Sequence, residues 1–250
     1  MHPVLLTWRG ARVHSYPVLL YLGMVFGIVV GDYVANDAGL NSARALLAMV
    51  LLTIPGLVGA RLLFVATNWH RYRHDRARIW RRSEGGAAMQ GGLLLAVVVS
   101  VPLLGVLGLP FGGFWDAATF AALTQLVFAR VGCLLHGCCA GRPEAGRLAL
   151  YLPDHRGIWQ RRVPSQLLEA GCAVLILVGA AAWWDERPFP GAVFLAALSA
   201  YVFGRVALEP LRESRTRIGG MDVQRALAAV FGVLALGGLL IAWLASTSRA

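Results

Sequence analysis

The sequence predicts an all-α, polytopic membrane protein of about seven transmembrane helices, with two longer polar loops on one face. Three observations predict it. Of 250 residues, 58% are apolar and only 14% are charged, where a soluble domain carries roughly a quarter charged residues. Mean hydropathy is +0.63. Seven apolar runs recur along the chain, each long enough to cross a hydrocarbon layer of roughly 30 Å. The length suits a single integral membrane domain over 1–250.

The first run, 16–35, follows Arg9 and Arg12. It is as long as a full span and no clear cleavage site follows, so it is expected to stay as a helix rather than be removed as a signal. A short link, 36–42, leads into the second run at 43–66. The polar loop 67–88 then separates it from the third, 89–109, and the link 110–113 opens the fourth, 114–137. A second long polar loop, 138–164, precedes the fifth and sixth runs, 165–184 and 189–210; the seventh is 222–245. Pro, Gly and Arg cluster at the ends, as turns at the headgroup level require. Trp69, Trp80, Trp115, Trp159, Trp183 and Trp184 also gather there, as interfacial belts do. The 29 glycines allow close helix packing in lipid.

An odd number of spans places the N-terminus, both long loops and the 211–221 loop on one side. That side holds 16 of the 23 arginines, and the other side three. By the positive-inside rule the rich side is cytoplasmic. The chain has no lysine. Coding bias accounts for that, and so does phosphate recognition, because the planar guanidinium fork grips oxyanions bidentately. Nucleic acid is excluded as a partner, since little of the chain lies outside the membrane.

Ionisable residues within spans are costly and mark sites by default. Asp116 and Arg225, and Asp32 with them, lie near helix ends and read as snorkelling side chains. Arg61, Arg130, His136, Glu169, Arg205 and Glu209 fit that reading less well. Arg205 and Glu209 stand at i, i+4 on one helix face, and Arg212 continues the stripe. They form either a structural ion pair or an arginine held for an anionic headgroup. The stretch Arg130-Val-Gly-Cys-Leu-Leu-His136-Gly-Cys-Cys-Ala-Gly-Arg142 carries the densest chemistry, and its glycines allow close approach. The cysteines 133, 138, 139 and 172 do not form a disulfide framework. Adjacent cysteines chelate one ion awkwardly and the spacing is not that of CxxC pairs, so neither a metal nor an organic cofactor is expected.

In order along residues 3–240, these anchors resemble the prolipoprotein diacylglyceryl transferase family. They are His2-Pro-Val with His14-Ser-Tyr16, then Gly59-Ala-Arg61-Leu, then Glu84-Gly-Gly-Ala-Ala-Met-Gln90-Gly-Gly. The Arg130–Arg142 block follows in a cysteine-containing variant, then Arg162-Val-Pro-Ser-Gln-Leu-Leu-Glu169, then Tyr201-Val-Phe-Gly-Arg205-Val-Ala-Leu-Glu209-Pro-Leu-Arg212. The resemblance implies transfer of a diacylglyceryl group from phosphatidylglycerol to the lipobox cysteine in the signal-peptide region of a prolipoprotein, in the bacterial inner membrane. It makes Arg130 and Arg205 the phosphate-engaging arginines, oriented by Glu209 and Glu169. Tyr16 would bond the headgroup and Gly141 would leave room for it, with Arg61, His136 and Arg212 also on the substrate.

The departures are specific. Gln90 stands where the family has a histidine, and glutamine is no base near pH 7. Cys133 and Cys138 replace an asparagine and a glutamate, and Val163 replaces a histidine. His136 is one substitute base; thiolate formation in solution or with help from the substrate is another. The family also places its arginine-rich loops outside the cytoplasm, against the positive-inside count. A paralogue with a different acceptor, a non-catalytic phospholipid binder and, less well supported, a small-molecule transporter are the alternatives.

Overall fold

Among the described residues, seven helices are long and apolar enough to cross a membrane, so the chain is a multi-pass membrane protein. The computed structural model describes residues 4–8, 11–80, 86, 88–146, 149–153, 157–212, 217–218 and 221–247. His2, Glu84, Gly85 and arginines 9, 81, 82, 147, 156, 215 and 249 of the sequence reading lie outside the described residues, as does the side chain of Arg225.

The spanning helices are α1 (Ser15–Asp37), α2 (Ser42–Thr67), α4 (Met89–Leu107), α5 (Phe111–His136), α6 (Ser165–Ala182), α7 (Ala192–Leu208) and α8 (Val223–Thr247). The short α3 (Trp69–Tyr72) and a 3-10 turn at Arg76–Trp80 lie within the first long loop. Local signals set the ends. The Asn41 side chain accepts from Arg44 N and caps α2, while Gly108 and Gly137 take left-handed φ to close α4 and α5. Pro210 has no N–H to donate, and α7 passes there into a 3-10 turn, Glu209–Leu211.

The helices pack small face to small face. Gly23, Gly27 and Gly31 lay α1 on α5; a Cβ at Gly27 would sit 2.6 Å from the Ala121 carbonyl oxygen. Gly59 and Gly91 seat α2 on α4, each placing a would-be Cβ 2.3–2.4 Å from the other's carbonyl oxygen. Leu57, Val106, Leu175 and Ile241 meanwhile point outward. Large apolar side chains outside and glycine inside is the arrangement lipid favours, because tails solvate leucine and helices associate through close backbone contact. Beyond these two pairs, α5, α6, α7 and α8 pack in chain order.

One end of the bundle is closed by a cap that corrects the sequence reading. Asp116 does not snorkel. It is fully buried on α5 and accepts from Gly191 N (2.6 Å) and Phe194 N (2.9 Å), holding the positive end of α7. Asp32 accepts from the Ser42 hydroxyl, and Asp37 from the Trp184 indole.

Among the described residues, three antiparallel hairpins are a minor addition that the sequence did not announce: β1 (Val4–Trp8) with β2 (Ala11–His14), β3 (Leu150–Pro153) with β4 (Trp159–Arg162), and β5 (Arg217–Ile218) with β6 (Met221–Asp222). All three lie outside the spans, where two to five residues per strand give no readable alternation.

Candidate active site

Glu169, in the first turns of α6, is the hub of the polar interior at 3% exposure. Its Oε1 accepts from Arg205 Nη1 at 2.8 Å and from Arg212 Nη1 at 2.7 Å. Its Oε2 lies 2.6 Å from Arg130 Nη2. That last contact is an ion pair without an aligned hydrogen bond, since Glu169 Oε2 and Arg130 Nε are both buried and unpartnered as hydrogen-bonding atoms. Arg205 also donates through Nη2 to Glu209 Oε2 at 3.0 Å, the i, i+4 pair expected on α7.

Helices α5, α6 and α7, together with the 3-10 turn after α7 and Arg212 at its end, therefore deliver three guanidiniums and two carboxylates to one place. Three positive charges against two negative leave the cluster at net +1, in a medium where charge is weakly screened. A buried set of this kind is costly to break: losing one member leaves another uncompensated, at about 3–5 kcal/mol. An anion of charge −1 neutralises it.

The loop after α5 is stitched to the same place. Gly137 N and Cys138 N both bond to Cys133 O, closing the helix, and Cys139 then takes a left-handed φ of 61°. The Ser165 hydroxyl holds Cys139 O at 2.8 Å and Gln166 Nε2 holds Cys138 O at 2.7 Å, so the start of α6 grips the loop. Gly141 N donates to Val163 O, and Arg142 N to Leu211 O, which ties the loop to β4 and to the end of α7. Gly141 carries a close backbone approach, as its residue type implies. The groups that fill the space are the chain's own: a Cβ there would lie 2.6 Å from Val163 O and 2.7 Å from Leu211 O.

The sulfurs of Cys133, Cys138 and Cys139 all lie within 4.8 Å of one another. The spacing argument against convergence presumes ordinary backbone at Cys139, and the left-handed φ removes that premise. Hydrogen bonds from the Cys133 and Cys138 thiols, and then the charges of Arg212 and Arg130, draw the Cys139 thiol well below its usual range. Sharing protons with Cys133 and Cys139 pushes Cys138 up.

The remaining candidates lie around this centre. The Tyr16 ring stands 6.2 Å from that of His136, which is equally far from His14. Gly132 faces the Tyr16 backbone, where a Cβ would approach Tyr16 Cα to 3.5 Å, and this sets the start of α1 on α5 two residues along the helix from Arg130. Gln90, half-buried at the start of α4, follows Met89, whose Sδ accepts from Tyr201 Oη at 3.8 Å. Tyr201 is one turn before Arg205 and within electrostatic reach of Arg130. Arg61 stands apart. It donates to Ile79 O at 2.7 Å and Gly86 O at 3.0 Å and lies 5.7 Å over the Tyr72 ring, so its contacts tie down the 67–88 loop rather than join the Glu169 cluster.

Four residues the sequence reading did not single out also shape the site: Tyr201, Ser165, Gln166 and Arg162. Arg162 is 1% exposed and donates to Gly141 O at 3.4 Å. The Gln160 amide, turned oxygen-inward, accepts from its Nε at 3.1 Å. Only the β3–β4 hairpin turns this loop arginine inward, and no periodicity marks that hairpin. A shallow cleft of about 370 Å³, lined by Asp37, Trp184 and Arg187, lies at the far end of α6 from Glu169 and shares no residue with the site.

The family model described as prolipoprotein diacylglyceryl transferase matches residues 3–243. Three curated relatives are similar over more than nine tenths of this chain. The phosphatidylglycerol–prolipoprotein diacylglyceryl transferase 2 of Clostridium perfringens is 22% identical, over 93% of this chain and 91% of the relative. The transferase of the same name (without the 2) from Clostridioides difficile is 24% identical, over 96% and 94%. That of Tropheryma whipplei strain Twist is 28% identical, over 94% and 90%.

Proposed function

This chain belongs to the prolipoprotein diacylglyceryl transferase family, and from that premise we propose that it moves a diacylglyceryl group from phosphatidylglycerol to the thiol of a prolipoprotein's lipobox cysteine, in a bacterial inner membrane. The observation that carries the reading is the convergence of Arg130, Arg205 and Arg212 on Glu169. The lipid's phosphodiester carries one negative charge, which the net +1 cluster neutralises. When the thiolate attacks the glyceryl carbon, the C–O bond breaks and glycerol phosphate leaves with a second negative charge. Preorganised guanidiniums aimed at that charge stabilise the transition state more than the ground state. Glu169 and Glu209 hold the forks in place, and Tyr16 and His136 stand where the headgroup or the acceptor would lie.

Gln90 favours a second reading, a non-catalytic phospholipid-binding protein, beside the paralogue with an altered acceptor. Labelled phosphatidylglycerol and a lipobox peptide, incubated with the purified protein, test both. A lipidated peptide is expected. Lipid turnover without peptide modification supports the altered acceptor, and bound lipid with no turnover supports a binding protein and defeats the transferase reading.

A further inference from the structure

The thiol group at the end of α5 is the strongest feature that the arginine cluster leaves unused. From its geometry we infer that Cys133, Cys138 and Cys139 hold one thiophilic divalent cation, Zn2+, whose open fourth position takes the acceptor thiol. Zinc–sulfur bonds of about 2.3 Å place tetrahedral ligand sulfurs about 3.8 Å apart. The three Sγ atoms already lie within 4.8 Å of one another, about 1 Å from that spacing. The loop is built to hold them. A non-glycine residue in left-handed conformation is strained, and such strain collects at functional positions. Here it turns two consecutive side chains toward one point, while Ser165 and Gln166 lock the carbonyls between them.

Exposure rises along the set: Cys133 is buried, Cys138 half-buried and Cys139 exposed. The cation would thus be enclosed on the protein side and open on the other, the pattern of zinc sites that bind substrate. Gln166 leaves Oε1 buried and unpartnered beside the loop, an acceptor available to whatever occupies the site.

The second part rests on the transferase reading, whose acceptor is a thiol and whose histidine is Gln90 here. A thiol that binds the metal gives its proton to water. The zinc-bound thiolate then attacks the glyceryl carbon. The S–C bond forms as the C–O bond breaks, the electron pair goes to the departing phosphate, and the zinc is unchanged.

The test uses reduced, metal-stripped protein in detergent, titrated with Co2+ and then Zn2+. One Co2+ per chain is expected, with a thiolate-to-cobalt charge-transfer band that Zn2+ abolishes. Cys133→Ser, Cys138→Ser or Cys139→Ser should each weaken binding about 10-fold or more, and Cys172→Ser should not. Should the serine variants fail to fold, wild type still decides, because Zn2+ should protect three of the four cysteines from alkylation in mass spectra. A lipobox peptide should strengthen the cobalt band while its Cys→Ser version leaves it unchanged. Absent stoichiometric binding, or a Cys133–Cys138 disulfide in the purified protein, overturns the metal site. Binding with no response to the peptide overturns the acceptor role. Binding with a peptide response but no lipid turnover sinks the transferase reading and leaves the metal site standing.

Discussion

Arg205 donates to Glu169 through Nη1 and to Glu209 through Nη2, two nitrogens held apart in one rigid plane, an arrangement that a lysine's single nitrogen does not reproduce. Arg205→Lys keeps the charge and loses the second bond, so turnover of phosphatidylglycerol should fall about 100-fold or more. Arg205→Ala should also lower the thermal midpoint, in line with about 3–5 kcal/mol for breaking a buried ion network. Wild-type rates in both variants would remove Arg205 from the site. Gln90→Ala should cost less turnover than Arg130→Ala; equal losses would place Gln90 in the chemistry. In metal-free, reduced protein, iodoacetamide should label Cys139 ahead of Cys133 and Cys138. It should still do so near pH 6, where an ordinary thiol of pKa about 8.5 is protonated. At this scale the sequence showed the Arg205–Glu209 pair through its i, i+4 spacing. The resemblance implied Glu169 as an orienting group for Arg130 and Arg205, but spacing alone showed neither that nor its bond to Arg212, because those arginines lie 36 to 43 residues away and meet it only through tertiary packing.

The seven spans were legible because hydropathy over twenty residues is a strong signal, and the observed helices start and stop within a few residues of it. The hairpins were not, since strands of two to five residues carry no period. The reciprocal contact of Gly59 and Gly91 was visible only as glycine near glycine. Its meaning lies in the packing: each carbonyl fills the space where the other's Cβ would go. Gly59→Ala or Gly91→Ala should therefore force α2 and α4 apart at a cost of about 1–3 kcal/mol, read as a lower unfolding temperature in detergent. Gly56→Ala, where a Cβ meets nothing within 4 Å, should leave that temperature unchanged or raise it slightly. Equal effects at the three positions would show that helix propensity, and not the contact, governs this pair.

Across the whole molecule, contacts among His14, Tyr16 and His136, between Arg61 and the 67–88 loop, and between Gly141 and Arg212 draw the N-terminal hairpin and both long loops to one end of the bundle. Charge counting would turn that end toward the cytoplasm, and the family resemblance would turn it away. A fluorescent reporter fused after Ala250 decides: fluorescence is expected, which puts the C-terminus inside and the arginine end outside, and a dark but externally active reporter would reverse the assignment. The net +1 of the Glu169 cluster also bears on kinetics. In the proposed reaction the donor lipid arrives with one negative charge and the released headgroup departs with two, so a cluster that engages the phosphate would hold the product harder than the substrate. Product release, rather than bond breaking, should then limit steady-state turnover. Added glycerol 1-phosphate should compete with phosphatidylglycerol, and a pre-steady-state burst of about one lipid per chain should precede the slower phase.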